Sequence, residues 1–167
     1  MLSSDKQTAA AEHQVSQESK SFSSKDFHQT FARPVYVKPS HLIHKNVENA
    51  GVHNQFSTER KHPVFLVDLP SKNVSMTIGG LLPKQLTNRH RHTYETVLYV
   101  IEGSGWTEVE DERVYWEAGD AVYIPSWAWH RHQNLSDTLP AKYLACENAP
   151  QLQNLGVALR EEEGRDL

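Results

Sequence analysis

Cysteine is almost absent from this sequence: Cys146 is the single cysteine among 167 residues. One cysteine cannot build an internal disulfide framework, and this scarcity is typical of proteins from a reducing compartment. No apolar run approaches the length that spans a membrane. The first residues, Met1 to Lys6, also lack the basic head and apolar centre of a secretory signal. The sequence therefore predicts a cytoplasmic protein with no membrane partner.

An excess of basic residues is also missing. The chain carries 17 Lys and Arg against 21 Asp and Glu, which gives a formal net charge of -4. Nucleic-acid binding usually requires a concentrated basic face, so this balance argues against a nucleic-acid partner. The length suits one domain with a substantial core and is short for two.

Composition divides the chain into four segments. Residues 1–25 are polar and nearly free of large apolar side chains, which predicts a disordered tail. Residues 26–61 are mixed, with prolines at 34 and 39, and we expect an N-terminal arm that packs on the domain or on a neighbouring subunit. Residues 62–150 are predicted to form a β-barrel. Residues 151–167 are predicted to form a short helix or a tail.

Short β-branched and aromatic runs, separated by turn residues, fill the central segment. This sequence pattern favours an all-β sandwich or closed barrel. The predicted strands are Val64–Val67, Val74–Ile78, Thr96–Ile101, Gly105–Val109, Arg113–Trp116, Ala121–Ile124 and Ala141–Ala145. The second is expected to stop at Gly79 and Gly80, and Glu110–Glu112 is expected to form a hairpin turn.

Three histidines have the spacing of a metal site. Alternate residues of a strand point to the same face, so His90 and His92 can both point into a barrel. His130 would approach them from a neighbouring strand. Neutral imidazole suits iron, zinc, copper and nickel better than magnesium or calcium. These residues therefore predict a mononuclear transition-metal site with open coordination positions.

The residues around these histidines resemble the two motifs of the cupin superfamily. Gly119, Pro125, His130 and Asn134 fall at the spacings of the second motif, and Trp127 stands where the family usually has glycine. The resemblance implies an all-β, double-stranded β-helix, or jelly-roll-like, barrel. Cupins commonly pair through N-terminal strands, so it also implies a homodimer.

The first cupin motif departs from the family pattern at its glutamate. Thr96 occupies that position, and the nearby acid, Glu95, lies one residue early. Strand parity places His90 and His92 on one face and Glu95 on the other, unless a bulge redirects it. We therefore predict a three-histidine site, with Glu95 and His132 as the further residues that could reach the metal.

Within the cupins, residues 90–93 (His-Arg-His-Thr) and 125–130 (Pro-Ser-Trp-Ala-Trp-His) resemble the gentisate 1,2-dioxygenase group. These ring-cleaving enzymes hold ferrous iron with three histidines and normally carry two cupin domains in a longer chain. The resemblance implies one divalent transition metal, Fe(II) first, with Zn, Ni or Mn as alternatives. It specifies a type of site, not a substrate.

Several side chains near the ligands are expected to contact a substrate. Tyr94 and Thr96 share the face of the histidines, and Trp127 and Trp129 flank His130, where they form either an aromatic wall or barrel core. No catalytic residue is evident, and the candidates are Tyr94, Thr96 and His132. Six further histidines, without ligand spacing, are expected to be solvated: His13, His28, His41, His44, His53 and His62.

These features favour an iron(II)-dependent dioxygenase acting on a small oxygen-chelating substrate, such as an aromatic acid or a β-dicarbonyl compound. Two alternatives remain open. One is a non-catalytic cupin that binds or senses a small molecule, since a fold does not fix a function. The other is a metal-dependent isomerase or lyase, whose turnover would not need oxygen.

Overall fold

The structure is a computed structural model in which residues 36–48 and 55–164 are described. The predicted tail, residues 1–25, lies outside the described residues, and so do residues 26–35 and 49–54 of the predicted arm. The chain divides into two compact units, Met1–Lys38 and Pro39–Leu167. The second unit contains every helix and strand given below. None of the helices in the described ranges is long and apolar enough to cross a membrane.

Most of the regular structure is strand, and two helices of six residues each accompany it. The helices are α1 (Gln55–Arg60) and α2 (Ala149–Asn154). The strands are β1 (Val64–Val67), β2 (Ser75–Leu81), β3 (His90–His92), β4 (Thr96–Glu102), β5 (Ser104–Val109), β6 (Glu112–Glu117), β7 (Ala121–Ile124), β8 (His130–Asn134), β9 (Ala141–Glu147) and β10 (Arg160–Glu162).

The strands form two five-stranded antiparallel sheets. The first sheet has the order β1-β2-β9-β4-β7, and the second has the order β10-β3-β8-β5-β6. Strands that are distant in sequence are neighbours in both sheets, as in a jelly roll. The predicted all-β, jelly-roll class is confirmed.

Alternation along the strands separates an inner face from an outer face. In β4, Thr96, Leu98 and Val100 are buried, while Val97 and Tyr99 between them are exposed. The same alternation in β7 buries Val122 and Ile124, which join one hydrophobic cluster between the sheets. Its buried members are Leu81, Leu98, Val100, Trp116, Val122, Ile124, Ala141 and Ala145.

Two glycines have roles that differ from each other. The second predicted strand does not stop at Gly79: β2 continues to Leu81, and Gly79 pairs with Tyr143 of β9. A Cβ atom on Gly79 would overlap the Tyr143 ring, so this glycine permits close packing within a strand and does not make a turn. Gly103, between β4 and β5, does make a turn, with a φ of 86° that favours glycine.

The C-terminal part of the described chain differs from the prediction of a helix or tail alone. The helix α2 begins at Ala149, and β10 then pairs with β3 at the edge of the second sheet. Arg160, Glu161 and Glu162 are too polar to show the alternation that predicts a strand. Pairing places Arg160 opposite His92, so the edge strand helps to position the histidines.

Candidate metal centre

The three predicted ligands come together on the inner face of the second sheet. His90 of β3 lies directly opposite His130 of β8, and His92 follows His90 on the same face. One ring nitrogen from each of the three lies within 4.8 Å of those of the other two. Among the described residues this is the only group of histidine, cysteine or carboxylate side chains arranged to hold a metal ion.

Backbone carbonyls fix the orientation of each imidazole. The Nδ1 atoms of His90, His92 and His130 lie 3.0, 2.7 and 2.9 Å from the carbonyl oxygens of Asn88, Tyr94 and Ala128 respectively. A carbonyl oxygen can only accept, so Nδ1 of each neutral ring carries the hydrogen. Each Nε2 therefore keeps a free lone pair, which is the state that coordinates a metal.

One of these lone pairs is buried and has no partner among the residues that the structure describes. The side chain of His130 is 1% exposed, and its Nε2 is buried without a hydrogen bond. A buried nitrogen of this kind needs a compensating partner. Three neutral imidazoles converging on one point, one of them lacking a partner, fit a divalent transition metal.

Desolvation keeps the three rings neutral. Burial lowers the pKa of His92 from 6.5 to about 3 and that of His130 from 6.5 to about 4. Burial also lowers the pKa of His90 well below its ordinary value, and the neighbouring His130 acts in the same direction. The rings are therefore available as ligands at neutral pH without losing a proton.

The histidines line one wall of a cavity of about 330 Å³ between the sheets. This volume lies at the lower end of the range for small-molecule sites. Tyr94 and Thr96 line the same cavity, as their parity predicted. The Tyr94 ring stacks on His92 with 3.9 Å between ring centroids and 5° between planes, and burial raises the pKa of its hydroxyl to about 12.

His132 lines the cavity but does not belong to the cluster of three ligand atoms. Its Nδ1 lies 2.9 Å from the Thr107 hydroxyl, which accepts a hydrogen bond of 3.0 Å from the Trp116 indole. Thr107 is fully buried, so its hydroxyl hydrogen points to His132 Nδ1. Nε2 of the neutral ring then carries the hydrogen, which makes it a donor and unsuited to bind a metal.

Glu95 lies outside the cluster. Its side chain is exposed, and its carboxylate accepts a hydrogen bond from the Tyr123 hydroxyl. No bulge redirects it, since Thr96 begins β4 with its side chain buried in the cavity wall. A role for Glu95 as an additional ligand is therefore not supported.

Trp127 and Trp129 do not line the cavity. Both contact Arg91, whose guanidinium carbon is 4.3 Å from the centroid of the Trp127 ring and 4.6 Å from that of the Trp129 ring. Arg91 also forms an ion pair of 2.6 Å with Glu161. Trp127 has a φ of 65°, so the backbone before β8 is left-handed at this residue. The two-residue alternation of a strand therefore does not predict the direction of its side chain. The predicted substrate contact by these rings is not supported by this geometry.

Four ionisable residues that sequence reasoning did not assign to the site also line the cavity: Arg60, His62, Tyr143 and Glu147. The prediction of a solvated His62 is wrong, because burial lowers its pKa and its Nδ1 lies 3.2 Å from the carbonyl of Gly80. Tyr143 and Glu147 lie on the same face of β9. The sequence would have indicated Glu147 if the predicted strand had been extended from Ala145 to residue 147. Arg60 ends α1, a helix that the sequence did not predict.

Together the fold and the site define a jelly-roll protein whose internal cavity presents three histidines suited to a metal. The segment 78–147 matches the family model described as the Cupin domain. This segment is accordingly a cupin domain, and the predicted resemblance is confirmed.

The chain is similar in sequence to dioxygenases over about half of its length. It is 38% identical over 77 residues to the 5-aminosalicylate 1,2-dioxygenase of Comamonas sp, covering 46% of this chain and 20% of that protein. It is 35% identical over 85 residues to the gentisate 1,2-dioxygenase of Streptomyces sp, covering 50% of this chain and 24% of that protein. The similarity therefore spans only about a quarter or less of these relatives.

Solved structures give the same fold. A variant of salicylate 1,2-dioxygenase from Pseudoaminobacter salicylatoxidans superposes with a TM-score of 0.57 at 25% identity. The superposition covers 62% of this chain and 33% of that enzyme. The similarity again lies within one part of a longer protein.

Proposed function

We propose that this protein is an iron(II)-dependent dioxygenase that acts on a small oxygen-chelating substrate, either an aromatic acid or a β-dicarbonyl compound. The observation that carries the proposal is the set of three converging imidazoles whose Nδ1 atoms are held by carbonyls. The similarity to 1,2-dioxygenases supports the same reaction class.

Three neutral ligands would leave the charge of a divalent metal uncompensated and several coordination positions open. His90, His92 and His130 would hold the ion through Nε2. When bound, Fe(II) would supply electron transfer between a chelated substrate and dioxygen and would act as a Lewis acid. Zn, Ni and Mn remain the alternative metals.

The cavity walls would bind and orient the substrate. Arg60 contributes a positive charge to the lining, which favours an anionic group such as a carboxylate. His132 would donate a hydrogen bond from Nε2 to a substrate oxygen, because the Thr107 hydroxyl fixes its tautomer. Tyr94 and Thr96 would place hydroxyl groups beside the ligands, and apolar residues of the core would exclude water.

Metal content tests the ligand assignment directly. Elemental analysis of protein purified without chelators should give close to one equivalent of metal, which His92→Ala should lose. His41→Ala, which removes an exposed histidine away from the cluster, should retain it. Protein that binds no metal even after reconstitution would overturn the proposal.

Oxygen uptake then tests the reaction. Iron-loaded protein should consume oxygen with an aromatic acid or β-dicarbonyl substrate, and His92→Ala should not. Ligand-induced stabilisation without oxygen uptake would favour the non-catalytic binding or sensing cupin. Turnover that persists without oxygen, with zinc, nickel or manganese bound, would instead favour an isomerase or lyase.

The assembly and location of the protein remain predictions. The homodimer is expected through the arm at residues 26–61, of which residues 26–35 and 49–54 lie outside the described residues. A mass that stays monomeric with and without the arm would contradict it. Fractionation of the native host would test the predicted cytoplasmic location.

A further inference from the structure

His62 is a histidine of the cavity lining that the metal site does not use. It lies between α1 and β1, outside the segment 78–147 that matches the cupin model. It lines the same cavity as the ligands but does not belong to the group of metal-ligand atoms. A histidine inside a cavity of this kind is a candidate acid or base, because its charge changes near neutral pH.

The backbone on both sides of His62 is held in place. Lys61, which follows the last residue of α1, has a φ of 59°, a left-handed conformation that turns the chain. The carbonyl of Lys61 accepts a hydrogen bond of 2.6 Å from the Gln85 side chain. The carbonyl of Pro63 accepts one of 2.9 Å from the amide of Gly80, and proline also restricts the residue before it. The position of His62 is therefore fixed.

A main-chain oxygen also determines which nitrogen of His62 carries the hydrogen. Nδ1 lies 3.2 Å from the carbonyl oxygen of Gly80, which can only accept, so Nδ1 of the neutral ring is the donor. Nε2 then keeps its lone pair, and no group within residues 36–48 and 55–164 donates a hydrogen bond to it. Burial lowers the pKa of the ring, so this lone pair is available at neutral pH.

Most other polar groups of the lining are unsuited to receive a proton. Burial raises the pKa of the Tyr94 hydroxyl to about 12 and raises that of Tyr143 as well, so both hydroxyls hold their protons. Nδ1 of His132 is occupied by the Thr107 hydroxyl, and its Nε2 carries the hydrogen. Arg60 is a cation without an acceptor atom. His62 and one carboxylate remain.

Glu147 is that carboxylate, and its surroundings differ from those of His62. Its oxygens accept hydrogen bonds from Thr96 at 3.3 Å and from Ser75 at 3.4 Å, whereas Nε2 of His62 has no donor within the described ranges. A charge on His62 lowers the pKa of His132, so these two rings lie close enough to interact across the cavity. The free nitrogen base therefore lies near the histidine wall.

We propose that His62 is the proton acceptor of this site. When a substrate hydroxyl chelates the metal, its O–H bond breaks, the electron pair stays on the oxygen, and an N–H bond forms at Nε2 of His62. The proton is held in the cavity and returns to the ligand or product on release. The chelating hydroxyl rests on the proposed function, whereas the acceptor rests on His62 and its backbone partners.

The charges around His62 couple the proton to the ligand. Arg60 of α1 and Arg160 of β10 oppose a charge on the ring, and a proton on His132 of β8 does the same. Glu147 of β9 is the acid in the same lining, and two backbone carbonyls favour the protonated ring. An anionic oxygen beside Nε2 adds an attraction that is absent before the ligand binds. Chelation is therefore the event that transfers the proton.

Proton counting during ligand binding tests this role without turnover. Calorimetry in buffers of different ionisation enthalpy gives the number of protons released per ligand bound. It is carried out at pH 7.5 on the full-length, iron(II)-loaded protein without oxygen. The probe is 2-hydroxybenzoate, and its matched control is 2-methoxybenzoate, which has no hydroxyl proton. The wild type should release close to no protons with either probe, because His62 keeps the proton.

The variant His62→Gln retains a polar side chain but cannot hold the proton. It should release about one proton per 2-hydroxybenzoate and none with 2-methoxybenzoate. His62→Asn should give the same result and provides a second variant if the first does not fold. His41→Gln, at an exposed histidine, should behave as the wild type. Close to one equivalent of metal in each variant would show that the ligand group is intact.

The outcomes separate this inference from the proposed function. Release of a full proton by the wild type with 2-hydroxybenzoate would overturn the role of His62 and leave the chelating site intact. Retention of the proton by His62→Gln would also overturn it, and release by Glu147→Gln would then identify the carboxylate as the acceptor. Failure of 2-hydroxybenzoate to bind the metal-loaded wild type would overturn both proposals.

Discussion

Acidification of the metal-free protein should destabilise it through the ligand histidines. The pKa values of His92 and His130 in the folded chain are about 3 and about 4, against 6.5 for an ordinary histidine. Between these values and 6.5, the unfolded chain holds a proton on each ring that the folded chain does not. The free energy of unfolding therefore falls as the pH falls through 6.5, and its full value is present only above 6.5.

The size of the effect follows from the two lowered pKa values. Between pH 7.5 and pH 5.0, each ring should reduce the free energy of unfolding by about 2 kcal/mol, and the two together by about 4 kcal/mol. Domains of this size are usually stable by about 5–15 kcal/mol, so this is a large fraction. The pKa values of His90 and His132 are also lowered and should add to the effect.

The assay is urea denaturation followed by tryptophan fluorescence at several pH values, in the presence of a chelator. Glu147, whose pKa is raised, acts in the opposite direction, so the informative quantity is the difference in pH dependence between variants. His92→Gln and His130→Gln should each flatten the dependence by about 2 kcal/mol over this range. His41→Gln should leave it unchanged.

Stabilisation by a bound metal provides a second test of the same histidines. At pH 7.5, free zinc at about 100 times its dissociation constant should raise the free energy of unfolding by about 2.7 kcal/mol. Neither glutamine variant should respond in the same way. A pH dependence that is identical in the wild type and in both variants would refute the reasoning, because the buried rings would then not be the groups that titrate.

Three substitutions test the framework around the site. Thr107→Val leaves Trp116 Nε1 and His132 Nδ1 without a partner and should cost about 2–4 kcal/mol in urea denaturation, while Thr107→Ser should cost much less. Asn134→Leu removes the amide that bonds three backbone carbonyls and should cost at least about 3 kcal/mol by the same measurement. Gly103→Ala introduces a methyl group at a φ of 86° and should lower the thermal midpoint by several degrees; an unchanged midpoint would contradict the strain.

The parts of the site that lie on regular strands were predictable from the sequence. His90 and His92 alternate on β3, so parity placed both on one face, and the spacing of the second cupin motif indicated His130, which begins β8 opposite His90. The same count also named Tyr94 and Thr96, which line the cavity, although Tyr94 lies in the bend between β3 and β4, outside any regular strand. Parity works here because a strand has a fixed two-residue repeat that burial on one side makes visible.

The errors arose where the backbone leaves that repeat or where a residue acts at long range. Trp127 adopts a left-handed conformation, so its position relative to His130 could not be counted along a strand. Gly79 was read as the end of a strand, because nothing local shows that Tyr143, 64 residues later, packs over it. His62 lacked any ligand spacing, and only the tertiary fold brings it to the cavity.

The carbonyl bonds to the three Nδ1 atoms mean that the rings are oriented before any metal arrives. Each partner belongs to a residue two positions away in the chain, and it is a main-chain atom. No substitution of another side chain in the cavity removes such an acceptor. The lining that selects a substrate can therefore change while the ligand set is preserved, which makes this cavity a suitable scaffold for engineering new specificities around one metal site.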